Sequence, residues 1–347
     1  MENQMKSGII DLLAFQSMPR REYHWLWRCG VLLAMALIVR FDAASADTYP
    51  SKPIRMVVPS APGGGTDIIA RLVAQSLYES WGQTVVVDNR GGAGGIPGVA
   101  TVAKGSAPDG YTMLLGSVGH LSFAPALRRN LGYDPQKDLA PISLVANQPF
   151  VVAVVPALPA SSIKELVALA KAKPGTISYG SGGSGTASHL GTELFQLMAG
   201  ISMLHIPYKG TGPAMAAMMA NEIQLCLVGT SAVIPHVKTG RLKALAVTTS
   251  KRSAAMPQLP TVAEAGLPGY NFDVWYGMMY PGGTPRTIVM KAHAEIIKLL
   301  KSPALSERYA AGGIEPLSST PEEFAALIKR ELPRWQDVVR KAKIQVE

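Results

Sequence analysis

The stretch IRMVVPSAPGGGTDIIARLVAQSLYESW, residues 54–81, decides the fold. It opens with a β-rich apolar run at 53–59, passes through three consecutive glycines, and then carries apolar residues at helical spacing over 68–81. Gly82 follows the last apolar position, where glycine commonly ends a helix. A strand that leads through a glycine loop into a helix is the building unit of an α/β protein.

The same unit recurs along the chain. A short strand at 85–87 leads through DNRGGAGG into a helix at 96–103, and a strand at 177–179 leads through YGSGGSGTASH into a helix at 186–198. Further strands are expected at 111–115, 150–155, 204–208, 223–228, 242–248 and 272–280. Their alternation with helices predicts an α/β fold of parallel sheets covered by helices.

The size of the chain and its last three helices predict two lobes. The 347 residues, 48% of them hydrophobic, suffice for about two domains with cores of their own. Helices expected at 285–300, 303–311 and 321–341 have few strands of their own to cover, so we expect them to fold back on the first block. We therefore predict a first lobe of 47–150 plus 271–347 and a second lobe of 151–270, joined by a hinge.

The first 46 residues read as an export signal. Basic residues at 20, 21 and 28 precede an apolar run at 29–39, which is too short to span a bilayer. Ala44-Ser45-Ala46 then provides the small-x-small pattern of a cleavage site. Sec-type export to the periplasm is the main expectation, with twin-arginine export or an uncleaved anchor as alternatives. Met18 is an alternative start that gives a signal of ordinary length.

Several classes of protein fit poorly. The net charge is +9, but no Lys/Arg run is interleaved with aromatics, so a nucleic-acid partner is not expected. The six histidines never lie three or four residues apart, and we expect no metal and no cofactor. No G-x-S-x-G elbow surrounds a serine. An enzyme using Ser184 and His189, and a structural envelope protein, remain the rivals to a binding protein.

The first glycine loop has the features of an anion site. Gly63, Gly64 and Gly65 let the backbone approach a ligand closely. Thr66 or Asp67 can cap the following helix, whose free N–H groups and dipole favour an anion. The Lys-Ser/Thr pair of a phosphate-binding P-loop is missing. A purely structural glycine turn with a cap is the alternative.

The third glycine loop and the turn at 208–210 could supply further contacts. Three hydroxyls, on Ser181, Ser184 and Thr186, lie near a helix N-terminus and can donate to a carboxylate. His189 could face the ligand or pack beneath it, and Lys209 could be either a nearby cation or a surface lysine. The second loop, DNRGGAGG, lacks the acidic partner of a dinucleotide fingerprint and reads as a tight turn or a cleft edge.

Several ordered motifs together resemble one family. VVPSAPGGGTDIIARLVAQSL, VVVDNRGGAGGIPG, APDGYTMLLGS, YGSGGSGTASHLGTELF, IPYKGTGPA, LKALAVTT and WYGMMYPGGTP resemble the Bug-type receptors, the substrate-binding proteins of tripartite tricarboxylate transporters. The resemblance spans roughly 49–340. It implies a type II-like periplasmic-binding-protein fold of two α/β lobes with a central cleft, and capture of a carboxylate by the first and third glycine loops.

The resemblance also implies partners and a ligand set. The expected partners are a small organic carboxylate and either the permease subunits of such a transporter or the periplasmic domain of a sensor kinase, with the mature chain a monomer. The predicted ligand-binding residues are Gly63, Gly64, Gly65, Thr66, Asp67, Ser117, His120, Ser181, Gly183, Ser184, Gly185, Thr186, His189, Tyr208 and Lys209.

The sequence departs from the family pattern after one strand. Where the family often has an acidic residue or asparagine, this chain runs Val228-Gly229-Thr230-Ser231. An amino-acid ligand would need a partner for its ammonium group. The missing acid therefore favours a dicarboxylate, an aromatic acid or a similar anion over an amino acid.

Overall fold

A computed structural model describes residues 49–128 and 131–344. The predicted signal peptide, residues 1–46, lies outside these ranges. Within them, no helix combines the length and the apolar character that a membrane crossing requires.

The strands lie close to the positions expected from the apolar runs. They are β1 (Ile54–Val58), β2 (Val85–Asn89), β3 (Thr112–Ser117), β4 (Leu139–Gln148), β5 (Phe150–Val154), β6 (Ser178–Ser181), β7 (Leu204–Pro207), β8 (Leu225–Gly229), β9 (Lys243–Val247), β10 (Val274–Pro281) and β11 (Glu315–Pro316).

The helices follow the glycine loops and cover the sheets. They are α1 (Gly65–Trp81), α2 (Ile96–Ala103), α3 (Ala124–Leu127), α4 (Ile163–Ala172), α5 (Ala187–Ala199), α6 (Thr211–Met219), α7 (Thr230–Lys238), α8 (Arg286–Leu300), α9 (Pro303–Ala311) and α10 (Pro321–Lys341). One π-helical turn, Gly119–Phe123, precedes α3, and a 3-10 turn, Ala93–Gly95, precedes α2.

The strands form two separate sheets, which gives the molecule two lobes. The first lobe is built on a six-stranded sheet in the order β11-β4-β10-β3-β1-β2, and the second on a five-stranded sheet in the order β7-β6-β8-β5-β9. The first sheet draws its strands from 54–148 and 274–316, the second from 150–247. The lobe boundaries given above, 47–150 with 271–347 and 151–270, stay a prediction.

The expectation of purely parallel sheets is wrong, because each sheet contains a reversed strand beside a crossing. β10 runs antiparallel to β3 and β4, and β5 runs antiparallel to β8 and β9. β5 is the first strand after the chain leaves the first sheet, and β10 is the first after it returns. Only Pro149 separates β4 from β5, so no helix reverses the chain between them, whereas residues 248–273 separate β9 from β10.

Strand β4 has no counterpart among the predicted strands. Its sequence, LAPISLVANQ, lacks the period-2 alternation of a half-buried strand because it is covered on both faces, and it contains Pro141. Proline is tolerated there because β11 pairs only with Asn147 and Ala146, which leaves Pro141 with β10 as its one neighbouring strand.

An aromatic cluster joins the first lobe to the return crossing. The Phe123 ring lies 4.4 Å from that of Trp335 on α10, and the Phe272 ring lies 5.7 Å from Trp335. Phe272 also packs against Gly191 of α5, where an added Cβ would come within 2.8 Å of its ring. The last helix therefore returns to the first lobe and also touches the second.

Candidate functional site

The first glycine loop begins α1 without a side-chain cap. Gly63 has a φ of +79°, a left-handed conformation that favours glycine. The N-cap residue is Gly64, and no side chain caps the helix. The prediction that Thr66 or Asp67 caps α1 is therefore wrong, because the helix begins one or two residues before them, at Gly65.

The Asp67 side chain instead holds the first glycine loop in its conformation through hydrogen bonds. Its carboxylate accepts hydrogen bonds from Gly63 N (2.8 Å), Arg71 Nε (3.0 Å) and Asn89 Nδ2 (3.0 Å). Burial alone would raise the pKa of Asp67, but hydrogen bonds from Arg71, Gly63 and Asn89 outweigh it and lower the pKa. Asp67 is thus an ionised, buried anchor whose oxygens are already engaged.

This anchoring leaves the N-terminus of α1 available. No described residue accepts a hydrogen bond from the backbone N–H of Gly64, Gly65 or Thr66. Ile68 N donates to Gly64 O, so the helical ladder starts after these groups. Free N–H groups at the positive end of a 17-residue helix form a site for an anion.

The third glycine loop uses most of its own donors internally. Gly182 N donates to Ser188 Oγ (2.9 Å), and Gly183 N donates to Ser181 Oγ (3.1 Å). Gly185 N donates to a ring nitrogen of His189, and Thr186 Oγ1 donates to Gly183 O at 2.7 Å. The loop is therefore held in a fixed shape by its own hydroxyls.

Ser184 is the exposed tip of that loop. Its side chain is exposed, and its hydroxyl forms no hydrogen bond with any described residue. His189 is only 5% exposed; its Nδ1 accepts from Gly185 N, and its Nε2 lies 3.9 Å from Glu193 Oε1. Neither ring nitrogen contacts Ser184, so the two residues do not form a nucleophile–base pair.

A buried aromatic stack supports the third loop. The rings of His189 and His205 stack at 4.0 Å, and the ring of Tyr179 lies 4.8 Å from that of His205. Burial, reinforced by the other histidine, lowers the pKa of His189 to about 3, and burial lowers the pKa of His205 to about 4. Both rings are neutral at pH 7, and His205 Nε2 meets Ser181 Oγ at 2.6 Å.

The second glycine loop packs against Pro59, which lies directly before the first glycine loop. A Cβ on Gly95 would lie 2.4 Å from the His120 ring and 2.5 Å from Pro59 O. His120 Nδ1 accepts from Ser117 N at 3.1 Å. Burial lowers the pKa of His120 to about 4, although a hydrogen bond to Pro59 O acts in the opposite direction. His120 is therefore a neutral linker between these segments at pH 7.

The turn at 208–210 lies directly against the third loop. Tyr208 N donates to Ser181 O at 3.0 Å, and Gly210 N donates to Gly182 O at 3.1 Å. Lys209 is exposed and forms no ion pair with another residue of the described chain. The turn thus carries an accessible positive charge close to Ser184's loop.

Four residues absent from the predicted set lie where the two lobes meet. Gln148, 2% exposed, accepts from Tyr276 OH at 3.0 Å, and its Nε2 donates to Ser231 Oγ of the second lobe at 2.5 Å. Leu127 of the first lobe lies 2.7 Å from where a Cβ of Gly185 would stand. Both loops therefore border the junction between the lobes. The sequence feature that could have indicated Gln148 is a polar residue at the end of an apolar strand, directly before Pro149.

Two surface depressions lie away from these loops. One of about 390 Å³ lies between α4 and the end of α5, and another of about 450 Å³ lies between α1 and β2. Neither is lined by a residue of the three glycine loops. Among the residues that the structure describes, no three His, Cys, Asp or Glu side chains are grouped to hold a metal ion.

Comparison with known proteins places the chain in a known family. Residues 69–344 match the family model described as tripartite tricarboxylate transporter family receptor. Protein BugT of Bordetella pertussis is 41% identical over 312 residues, which cover 90% of this chain and 95% of BugT.

Solved structures agree in fold over nearly their whole length. An R. palustris protein solved with adipate superposes with a TM-score of 0.81 at 35% identity, covering 86% of this chain and 99% of that one. MatC from Rhodopseudomonas palustris, solved with bound malate, has a TM-score of 0.77 at 30% identity, covering 84% of this chain and all (100%) of its own. The two-lobed fold predicted from the sequence is confirmed.

Proposed function

Because the chain belongs to the tripartite tricarboxylate transporter receptor family, we propose that it is a solute receptor that closes its two lobes over a small organic carboxylate. The observation that carries the proposal is the uncapped N-terminus of α1. Gly64, Gly65 and Thr66 offer free N–H groups there, while Asp67 is fully engaged below them. An anion placed at this point receives several hydrogen bonds and the favourable end of a helix dipole.

The third loop provides a second set of contacts in this proposal. Ser184 presents a free hydroxyl beside the N-terminus of α5, and Lys209 adds a positive charge nearby. Of the remaining predicted ligand residues, Asp67, His120 and His189 hold the loops in shape and Ser117 holds His120. A ligand touched by both lobes favours the closed arrangement, since only that arrangement makes all contacts.

We infer that the ligand is a dicarboxylate or a comparable anion without an ammonium group. Relatives of this chain have been solved with adipate and with malate. The groups around Gly65 and Gly229 are the neutral Gln148, Tyr276 and Ser231. Glu315 lies further along the same sheet edge, but both its oxygens already accept hydrogen bonds, from Ser253 and Asn147.

The proposal extends to location and partners. We propose that the mature chain works in the periplasm as a monomer without a cofactor; the predicted signal peptide and membership of a family of transporter receptors support the location. Its closed form would be recognised by the permease subunits of a tripartite tricarboxylate transporter or by the periplasmic domain of a sensor kinase. Loss of uptake of the bound acid on deletion of a tripartite tricarboxylate permease would distinguish the first partner from the second.

A ligand screen tests the function. The purified protein is titrated with adipate and malate, and with aspartate and glutamate as the ammonium-bearing comparison. At a ligand concentration of about 100 Kd, binding stabilises the fold by about 2.7 kcal/mol, which raises the melting temperature by several degrees. Stabilisation by a simple dicarboxylate, with the ligand recovered unchanged, is the expected result.

Other outcomes would support the rivals. Conversion of the added acid into a product would indicate an enzyme. If no organic acid binds saturably, a structural role in the envelope would be favoured. Stabilisation by glutamate or aspartate with none by adipate or malate would overturn the ligand class while keeping the receptor.

A further inference from the structure

Gln148 is the last residue of β4, and the chain crosses to the second sheet one residue later. Its side chain is 2% exposed. The amide oxygen accepts from Tyr276 OH (3.0 Å) in the first lobe, and the amide nitrogen donates to Ser231 Oγ (2.5 Å) in the second. One buried side chain thus joins the two lobes at their crossing.

Two glycines leave the space that this amide fills. A Cβ on Gly65 would lie 2.5 Å from Gln148 Oε1, and a Cβ on Gly229 would lie 2.7 Å from Gln148 Cδ. Gly229 has a φ of −63°, and Gly65 is likewise outside the left-handed region, so the backbone does not require glycine at either position. The requirement comes from the packed amide.

These glycines also begin two helices from opposite lobes. Gly65 is the first residue of α1, and Gly229 is the N-cap of α7. The Gln148 amide therefore lies where the positive ends of two helix dipoles approach each other. A neutral amide leaves that positive potential for a ligand, whereas a carboxylate at the same place would neutralise it and repel an anion.

We propose that Gln148 is a positioning and specificity-determining residue, which holds α7 against α1 in the arrangement of the lobes seen in the structure and keeps the floor of the anion site uncharged. The inference rests on the proposed function for its ligand, but the lobe contact can be tested without one. Loss of the Ser231 bond should loosen this arrangement, and a charge at position 148 should weaken anions selectively.

The sharpest variant is Gln148→Glu. At pH 8 its carboxylate should weaken adipate or malate binding at least 30-fold, because it repels the ligand and cannot donate to Ser231. At pH 5 burial favours the protonated form, although the two helix N-termini act in the opposite direction, and the protonated group can again donate to Ser231 and accept from Tyr276. Affinity relative to wild type at the same pH should then recover to within about threefold. Calorimetric titration at both pH values measures this.

The companion variant is Ser231→Ala, with Thr176→Ala as its matched control. Thr176 is an exposed residue of the second lobe whose hydroxyl bonds only Lys173 O. Loss of one hydrogen bond between the lobes should weaken ligand binding about threefold to tenfold at either pH. Small-angle scattering without ligand should show a larger radius of gyration for Ser231→Ala than for Thr176→Ala.

The proposal is overturned if Gln148→Glu binds like wild type at pH 8. It is also overturned if binding stays weak at pH 5 and the free energy of unfolding is lowered by as much as the free energy of binding, since that would indicate damage to the fold alone. If wild type binds neither acid, the proposed function and the specificity part fail. Scattering still decides the positioning part in that case: a wider Ser231→Ala supports it, and equal radii refute it.

Discussion

The first and third glycine loops have the same strand-loop-helix plan, but they are held in place by opposite chemistry. Below the first loop lies a charged network in which Asp67 accepts from Arg71, Asn89 and Gly63. Below the third lies a neutral stack of Tyr179, His205 and His189. The local sequence pattern therefore does not determine how a loop is supported.

The support decides what each loop can offer a ligand. In the first, a side chain outside the turn does the anchoring and takes only one backbone donor, so the helix N-terminus stays free. In the third, the N–H groups of Gly182, Gly183 and Gly185 are used within the lobe, so the loop itself offers Ser184 at its tip, although α5 behind it also begins without a side-chain cap. We expect the first loop to contribute most of the binding free energy.

The largest effect should follow from Asp67→Asn. The amide removes the negative charge that three donors share, and we expect a loss of about 2–3 kcal/mol in the free energy of unfolding and at least 30-fold weaker adipate binding. Urea unfolding and calorimetry measure the two. Asp337→Asn, which breaks exposed i,i+3 and i,i+4 pairs on α10, is the control and should leave stability close to that of the wild type, because exposed ion pairs contribute little. Equal effects of the two variants would contradict the anchoring role.

The neutral stack should respond to acid. The pKa of His189 is about 3 in the fold and about 6.5 in the unfolded chain. As the pH falls below 6.5, the unfolded chain takes up a proton that the folded chain refuses, so stability present at pH 7 is lost. For this group the loss is about 2 kcal/mol by pH 5. His189→Phe should reduce the difference in unfolding free energy between pH 7 and pH 5 by that amount. An unchanged pH dependence would show that the imidazole charges inside the fold.

A smaller effect is expected from Gly65→Ala. The added Cβ displaces the end of the Gln148 side chain, which should weaken adipate binding about tenfold, or by about 1.4 kcal/mol. Gly212→Ala is the matched control, since Gly212 lies in the first turn of α6 with open space at its Cβ position. Should both variants bind equally well, Gly65 would be free to carry a side chain.

The smallest effect should come from Ser184→Ala. Its hydroxyl bonds no described residue, so its removal should leave the melting temperature unchanged and weaken ligand binding only about threefold. Calorimetry and thermal unfolding together check both halves. A tenfold or larger loss would reverse the ranking of the two loops.

Much of the fold was predictable because apolar periodicity and glycine position are local. The helix ending at Gly82 and the helix bounds at 96–103 are confirmed by the structure. Local capping likewise begins α4, where the Ser162 hydroxyl accepts from Glu165 N and the Glu165 carboxylate accepts from Ser161 N. Strand β4 was missed because burial on both faces removes the alternation that marks a strand.

The candidate site was predictable only in outline. Three glycine loops could be recognised, but whether Asp67 points to a ligand or to Gly63 depends on Arg71 and Asn89, the second of which lies 22 residues away. The placement of Gln148 depends on Ser231, 83 residues further along the chain. No local pattern encodes a partner at that distance.

The amino-acid sequence was enough to predict an α/β protein with glycine loops at strand-to-helix junctions, because those features depend on neighbours a few residues apart, and the chain length and the last three helices were enough to predict two lobes. Tertiary structure alone decided which donors remain free at α1, which histidines are buried and neutral, and which side chain joins the lobes. Those properties depend on contacts between segments far apart in the chain, and burial and hydrogen bonding there set both the charge and the direction of each group.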